Sequence, residues 1–439
     1  MDQTRFEPVL TRNVGRPEVR TVEGYRARGG YEGLRRALSM QPAEVTELVK
    51  KSGLRGRGGA GFPTGMKWSF IPADHPGPKY LVCNADESEP GTFKDRLLME
   101  HDPQQLIEGC LICGYAVGAA TTYIYIRGEY TDAAAILEEA IADACAAGVL
   151  GDSVLRSGFR HDVYVHRGAG AYICGEETGM LESLEGRRGQ PRVKPPFPAV
   201  VGAFGKPTVI NNVETLCCVP HIVERGPEWF AGIGTDERNT GPKLYALSGH
   251  VERPGTYELP IGITLDELID AAGGMYRGRR LKAFIPGGAS AAMLPAEKSS
   301  IPLDFDQCAK AGSMLGSAAV MVLDETVCLV RAATRLAKFF AHESCGQCTP
   351  CREGTHWLEL ELSRIERGEG PPHAAELILR MTKNMTGTAL CALADAAIGP
   401  TRSLVTNFPE EIEEHLRLGR CPLPAQRYFV TGAAPGGAS

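Results

Sequence analysis

The sequence predicts an α/β domain with a largely parallel sheet, then a small α+β domain, then an all-helical C-terminal segment. Three observations carry this. Short β-branched and aromatic strands alternate with loops and helices as far as Arg238. Closely spaced short strands begin at Lys243, and from Arg331 only helical periodicity remains.

Taken in order, the stretch Tyr31 to Leu54 reads as a helix and a short second one, with Pro42 in a first turn and Val45, Leu48 and Val49 on one face. A Gly-rich loop runs to Gly65. Tyr80 to Cys83 is an apolar strand, Leu106 to Ala120 an apolar helix, and Thr122 to Ile126 a β-branched and aromatic strand. Asp132 to Ala147 is an alanine-rich helix and Val163 to His166 another strand. The second domain has strands at Lys243 to Ser248, Gly255 to Glu258 and Leu281 to Ile285. Its helix at Leu265 to Ala271 opens with a Thr264/Glu267 capping box. Helices then follow at Thr334 to His342, Thr355 to Glu366, Ala374 to Met381, Ala389 to Ala396 and Pro409 to Leu418. The implied units are a helical and Gly-rich segment (1–72), the α/β domain (73–240), the α+β domain (241–330), the bundle (331–425) and a disordered tail (426–439).

Composition narrows the function. The 439 residues carry 47 Lys plus Arg against 53 Asp plus Glu, a formal charge of -6, with no long basic run to bind nucleic acid. No segment approaches the ~18 apolar residues of a membrane span, and Met1 to Arg20 is too polar for a signal peptide. The chain therefore reads as cytosolic, where 14 cysteines are core thiols and metal ligands rather than disulfides. Glycine is abundant, 52 residues, and clusters at Gly56 to Gly65 and Gly168 to Gly179 among charged residues. Such clustering brings backbone close to a ligand.

Cys345-Gly-Gln-Cys348-Thr-Pro-Cys351 is the most specific motif. Two CxxC steps sharing a cysteine put three thiolates in one loop, able to cap three corners of a [4Fe-4S] cluster. The fourth ligand comes from Cys391 or Cys421. Cys391, inside the bundle, is the choice over Cys421, beside Pro422 and the tail. The competing reading is zinc, with His342 or His356 as fourth ligand.

Leu54 to Gly65, followed by Met66-Lys67-Trp68, looks like a nucleotide or flavin cradle. Its glycines free backbone N–H groups for phosphate, Arg55, Arg57 and Lys67 supply charge, and Phe62, Trp68 and Phe70 offer stacking faces. It satisfies neither GxGxxG nor GxxxxGK[ST]. Asn84 to Arg96 follows a strand, where α/β sheets bind ligands, so Asn84, Asp86 and Glu89 face a ligand while Lys94 and Asp95 read as a solvated face. Glu176 and Glu177, set between glycines, suit ribose hydroxyls and disfavour a 2′-phosphate, hence NADH over NADPH. Asn211 to Thr215 opens a further helix. A flavin takes a hydride as two electrons, while a cluster takes one at a time, so together they imply a two-to-one electron converter.

These motifs together (Arg55 to Trp68, Asn84 to Arg96, Gly168 to Thr178, Ile210 to Thr215 and Glu343 to Gly354) resemble the NADH-binding flavoprotein subunit of respiratory complex I, the family of bacterial F subunits and the mitochondrial 51 kDa subunit. The likeness covers about Gly30 to Leu418. It implies a Rossmann-like FMN/NADH domain, a ubiquitin-like (β-grasp) domain, and a bundle whose Cys345, Cys348, Cys351 and Cys391 hold one [4Fe-4S] cluster. It puts one non-covalent FMN against Gly56, Arg57, Gly58, Gly59, Lys67, Asn84, Asp86, Glu87, Ser88, Gly175, Asn211, Asn212 and Thr215. NADH falls to Gly61, Phe62, Phe70, Glu89, Glu176, Glu177 and Phe197. The implied activity is NADH-quinone oxidoreductase, as one component of a translocase complex. The implied partners are a thioredoxin-like [2Fe-2S] subunit and a large multi-cluster iron–sulfur subunit, with quinone reached only through other subunits. The implied place is the cytoplasmic side of a membrane. The same module resembles subunits of NAD-linked hydrogenases and formate dehydrogenases, many of which carry an extra ferredoxin-like or thioredoxin-like domain that finds no room here.

Cys110 and Cys113, Cys217 and Cys218 read as core thiols, and Cys174 as a lining of the flavin pocket. Cys83, Cys145, Cys308 and Cys328 have no evident partner, and His101, His161 and His166 fall in no ligand spacing.

Overall fold

The computed structural model describes residues 6–423. The tail expected at 426–439 lies outside the described residues.

Strands β1 (Tyr80–Ala85), β2 (Thr121–Ile126), β3 (Asp162–Arg167) and β4 (Thr208–Asn212) form a four-stranded sheet in the order β3-β2-β1-β4, parallel throughout. Parallel pairing needs crossovers, and the helices Pro103–Val117 and Val213–Arg225 cover one face of β1. The first is capped at its start by the Asp102 side chain and stopped by Gly118 in the left-handed region. That stop is why it ends short of the Ala120 expected from its apolar run.

The N-terminal segment is part of this domain's core. Val9, Tyr25, Tyr31, Leu34, Val45 and Trp68 pack with Leu81, Ile112 and Leu216 in one apolar cluster. Glu108, fully buried on the helix Pro103–Val117, ties the segment down. Its carboxylate accepts from the Tyr25 hydroxyl at 2.7 Å and from the Tyr31 and Leu34 N–H groups at 3.0 and 2.9 Å.

The second sheet has β5 (Pro242–Gly249), β6 (Gly255–Pro260), β7 (Leu281–Ile285), β8 (Leu294–Pro295) and β9 (Ala319–Asp324) in the order β6-β5-β9-β7-β8. Only β5 and β9 pair in parallel. The helix Leu265–Ala271, with both arms of the Thr264/Glu267 capping box formed, packs its leucines into this domain's core. Buried Glu258 on β6 accepts from the N–H groups of Val9, Leu10 and Thr11 at 2.8–2.9 Å, so the N-terminal segment bridges both domains.

The bundle comprises Leu329–Glu343, Thr349–Glu366, Ala374–Met385, Leu393–Asn407 and Pro409–Leu418. All but Pro409–Leu418 differ in their bounds from expectation: Leu329–Glu343 starts before Thr334 and Ala374–Met385 runs past Met381, and two differences are larger. Thr349–Glu366 starts well before the expected Thr355, because Pro350 suits a first turn. The helix expected at Ala389 begins only at Leu393, leaving Cys391 in the preceding turn. No described helix is long and apolar enough to cross a membrane.

Candidate functional site

A cleft of about 450 Å3 opens at the carboxyl ends of β1 and β4, the position α/β sheets reserve for ligands. Three parts of the chain line it. The α/β domain contributes Gly58, Gly59, Asn84, Asp86, Glu87, Ser88, Glu89, Gly175, Glu176 and Asn212. The second domain adds Gly287, Ser290, Met314, Gly316 and Ser317, and the bundle adds Cys391, Leu393 and Asp395.

Each polar wall group is held by a specific contact. Asn84 Nδ2 donates to the Gly175 carbonyl at 2.9 Å, and its Oδ1 accepts from the Asp86 N–H at 3.1 Å. Asp86 Oδ1 accepts from the Ser88 hydroxyl at 2.6 Å, but buried Oδ2 has no partner among the described residues. Burial raises this carboxyl to about 6. Glu87 caps the helix Lys94–His101, accepting from the Asp95 and Arg96 N–H groups at 2.7 and 3.0 Å. Burial, with the Asp95 charge, lifts it to about 7. Glu89 accepts from the Tyr172 hydroxyl at 2.8 Å and from the Ser290 N–H at 2.6 Å, joining the two domains across the cleft. Burial raises it as well.

Lys94 and Asp95 are not the solvated face that charge alone suggests. Both are buried. Lys94 Nζ lies 2.8 Å from both Asp95 and Glu214, and Lys243 Nζ lies 2.6 Å from Glu214. Burial disfavours the Lys94 ammonium, but Asp95, Glu214 and Glu87 outweigh it and raise the group. Lys243 has only Glu214, and burial with the neighbouring cations pulls it down to about 7. The difference follows from the number of carboxylates each lysine faces.

Several expected site residues are engaged by structural partners. The Arg57 side chain is buried with its guanidinium on the Thr240 and Pro242 carbonyls, while its N–H donates to Thr215 Oγ1 at 2.8 Å. It supplies no charge to the cleft surface, and it leaves Thr215 fully buried. Asn211 Oδ1 accepts from Trp68 Nε1 at 2.8 Å, which also removes Trp68 as a stacking face. Arg55 pairs with Asp306 at 3.3 Å. Glu176 is the cap of the helix Glu177–Leu184, accepting from the Thr178 and Gly179 N–H groups at 2.8 Å. Lys194 bridges Glu176 and Glu177 at 2.9 and 3.0 Å, and Lys67 meets Glu177 at 3.1 Å. Burial would raise Glu177, but the two lysines hold it below the ordinary range.

Of the remaining expected residues, Gly56, Gly61, Phe62, Phe70 and Phe197 do not wall the cleft. Phe62 and Phe70 stand side by side, ring centroids 6.1 Å apart, and with Phe197 are exposed. The walls from the second domain escaped sequence reading. Their one signal was Gly287-Gly288 immediately beyond β7, the glycine pair of a close backbone approach.

The thiols form a second site beside the cleft. Cys345, Cys348, Cys351 and Cys391 line one narrow hollow with Ile173, Pro191, Ser344, Gln347, Leu390 and Leu393. Cys348 stands just before the helix Thr349–Glu366 and Cys351 in its first turn, while Cys391 arrives from the turn before Leu393–Asn407. No histidine among the described residues lines the hollow. His342 and His356 are exposed beside Glu343 and Glu359, so neither is the fourth ligand that the zinc alternative named. Burial and the neighbouring thiols raise Cys351, and burial lifts Cys391 to about 11. Four such thiols fit a group whose cationic iron ionises them. The cleft fits a flavin on separate grounds, because Asp86, with its unpartnered Oδ2, and the open Gly59 backbone line it.

Ile173, Cys391 and Leu393 belong to both cleft and hollow, so the two sites share a wall. A nucleotide-sized cleft against a four-thiol hollow defines the class: an oxidoreductase carrying a flavin and an iron–sulfur cluster. Comparison with known proteins makes this specific. The Nuo51 FMN-binding domain matches residues 49–221, the NADH-ubiquinone oxidoreductase-F iron-sulfur binding region residues 331–415, and the SLBB domain residues 244–291. The NADH-quinone oxidoreductase F 2 subunit of Rhizobium meliloti (strain 1021) is 58% identical over 95% of this chain and 99% of its own. The corresponding F subunit of Streptomyces coelicolor is 52% identical over 94% and 92%. A chain of a NAD+-reducing [NiFe]-hydrogenase, solved in the air-oxidized state, superposes with a TM-score of 0.81 at 36% identity, over 94% of this chain and 67% of that one. The chain belongs to the family of NADH-quinone oxidoreductase F subunits.

Proposed function

We propose that the chain is the NADH-oxidising subunit of an NADH-quinone oxidoreductase, taking a hydride from NADH and sending single electrons on to partner subunits. The shared wall of cleft and hollow carries this reading, because a flavin in the one and a cluster in the other would lie side by side within one chain. FMN, when bound, supplies the conversion of an electron pair into single electrons, which the thiol-held cluster can take. Gly58, Gly59, Asn84, Asp86, Glu87, Ser88, Gly175 and Asn212 form its seat, with Gly56, Arg57, Lys67, Asn211 and Thr215 supporting that seat from behind or beside it. Exposed Phe62, Phe70 and Phe197 offer stacking faces to NADH, with Gly61 allowing the turn between them and the cradle. Glu89, held by Tyr172 and Ser290, Glu176 and Glu177 present carboxylates to its polar groups. Glu89, which has no cationic partner among the described residues, repels a 2′-phosphate and so favours NADH over NADPH.

The partners in this reading are a thioredoxin-like [2Fe-2S] subunit and a large multi-cluster subunit, which lead electrons to quinone on the cytoplasmic side of the membrane. The structural likeness to a NAD+-reducing hydrogenase chain favours a second reading, the same NADH/FMN chemistry serving a hydrogenase or formate dehydrogenase. An anaerobic NADH titration of the chain with its small partner separates function from its absence. The flavin band is expected to bleach with NADH and not with NADPH, and iron analysis to give about four atoms for this chain. A colourless protein, or equal bleaching by NADPH, overturns the reading.

The unpartnered Asp86 Oδ2 gives a sharper test. A hydrogen bond to a charged acceptor is worth about 1.5–3 kcal/mol, so Asp86→Asn is expected to weaken flavin retention roughly 10- to 100-fold. Fluorescence of flavin released on dilution measures it. Unchanged retention would remove Asp86 from the flavin seat.

A further inference from the structure

Away from the cleft and sharing no residue with the thiol hollow, Cys328 meets His415 and Cys421 from a distant part of the chain. We propose that they form a zinc site that clasps the end of the bundle to its beginning. Cys328 is the cap of the helix Leu329–Glu343, just beyond β9, where the second domain hands over to the bundle. His415 lies in the last described helix, Pro409–Leu418, and Cys421 follows that helix.

The ligand atoms all lie within 4.8 Å of one another, with Cys328 Sγ 3.3 Å from His415 Nε2. Tetrahedral zinc, with Zn–S of about 2.3 Å and Zn–N of about 2.0–2.1 Å, needs ligand separations of roughly 3.5–3.8 Å. The group is therefore within a small adjustment of coordinating geometry. Two thiolates and an imidazole suit zinc among the available divalent cations.

The surroundings are those of a metal ligand set. His415 Nδ1 sits 2.6 Å from the Glu411 carbonyl, so Nδ1 carries the proton and Nε2 directs its lone pair at the sulfurs. Cys328 Sγ accepts the Arg331 N–H at 3.3 Å at a helix N-terminus, a contact that fixes the sulfur beside His415. His415 is fully buried and Cys328 nearly so, while Cys421 stays half-exposed, leaving an entry path. Among the described residues these three are the ligand set.

The test is to give the full chain one equivalent of Zn2+, remove free metal by gel filtration, and measure zinc and iron together. About one zinc per chain is expected in the wild type, with a rise in thermal midpoint. Cys421→Ala, at the accessible edge, is expected to bind zinc at least about 10-fold more weakly and to keep its iron and its response to NADH. Co2+ in place of zinc is expected to give the visible bands of a tetrahedral thiolate site in the wild type alone. Equal zinc in wild type and variant, or a Cys328–Cys421 disulfide persisting in the zinc-treated chain, would overturn the proposal. Loss of iron in Cys421→Ala would overturn it too, by assigning Cys421 to the other cluster. Because iron and the NADH response are read separately, failure here leaves the NADH reading standing.

Discussion

Replacing Cys391 with alanine is expected to abolish electron delivery to the partner subunits while sparing reduction of the flavin by NADH. Cys391 lines both the cleft and the thiol hollow, and it is the only one of the four thiols there that does not come from the Cys345–Cys351 loop. Changing groups that merely support a metal ligand already costs 10–100-fold, so losing a ligand outright should cost partner-linked turnover roughly 100-fold or more. Iron analysis, low-temperature EPR and NADH-driven bleaching of the flavin band measure the two halves separately. Full iron content in Cys391→Ala would sink the assignment. Cys421→Ala is the matched control. Cys421 lies with Cys328 and His415, not in the hollow, and its loss should leave iron intact.

The second large effect concerns stability. Glu214→Ala is expected to cost about 3–5 kcal/mol, the range for breaking a buried ion pair from one side. Glu214 is fully buried at the start of the helix Val213–Arg225, accepting from the Leu244 N–H at 2.9 Å while pairing with Lys94 and Lys243. Its loss strands two buried ammonium groups, of which Lys94 keeps Asp95 and Lys243 keeps no carboxylate among the described residues. The network also joins the sheet domain to β5, so both domains should loosen together. Combining Glu214→Gln with Lys243→Met should recover most of the loss, because no uncompensated charge then remains. Denaturant midpoints check this. A cost below about 1 kcal/mol for Glu214→Ala would show that the pair holds nothing.

The sign of the pH dependence follows from the same contacts. Burial pushes Glu214 up, but Lys243, Lys94 and Arg57 outweigh it and hold the carboxyl at about 2. A depressed carboxyl stabilises fully above its unfolded pKa near 4.5 and loses that contribution as pH falls toward 2. The gap between wild type and Glu214→Ala should therefore be widest at neutral pH and close in acid.

What the sequence determined was the local chemistry. Two CxxC steps sharing a cysteine force three thiols into one loop whatever surrounds them, and glycines beside strand ends announce backbone that approaches a ligand. The order of strands and helices was legible too, because side-chain periodicity and caps such as Thr264/Glu267 act within a few residues. Tertiary structure decided the rest. It placed Cys391, rather than Cys421, beside the three-cysteine loop, and it drew Gly287, Ser290 and Ser317 into the cleft from another domain. It also turned Lys94 and Asp95 inward and directed Arg57 onto backbone carbonyls. Charge in a sequence favours water, and only long-range partners, here Glu214 on Lys94 from a distant part of the chain, make its burial tolerable.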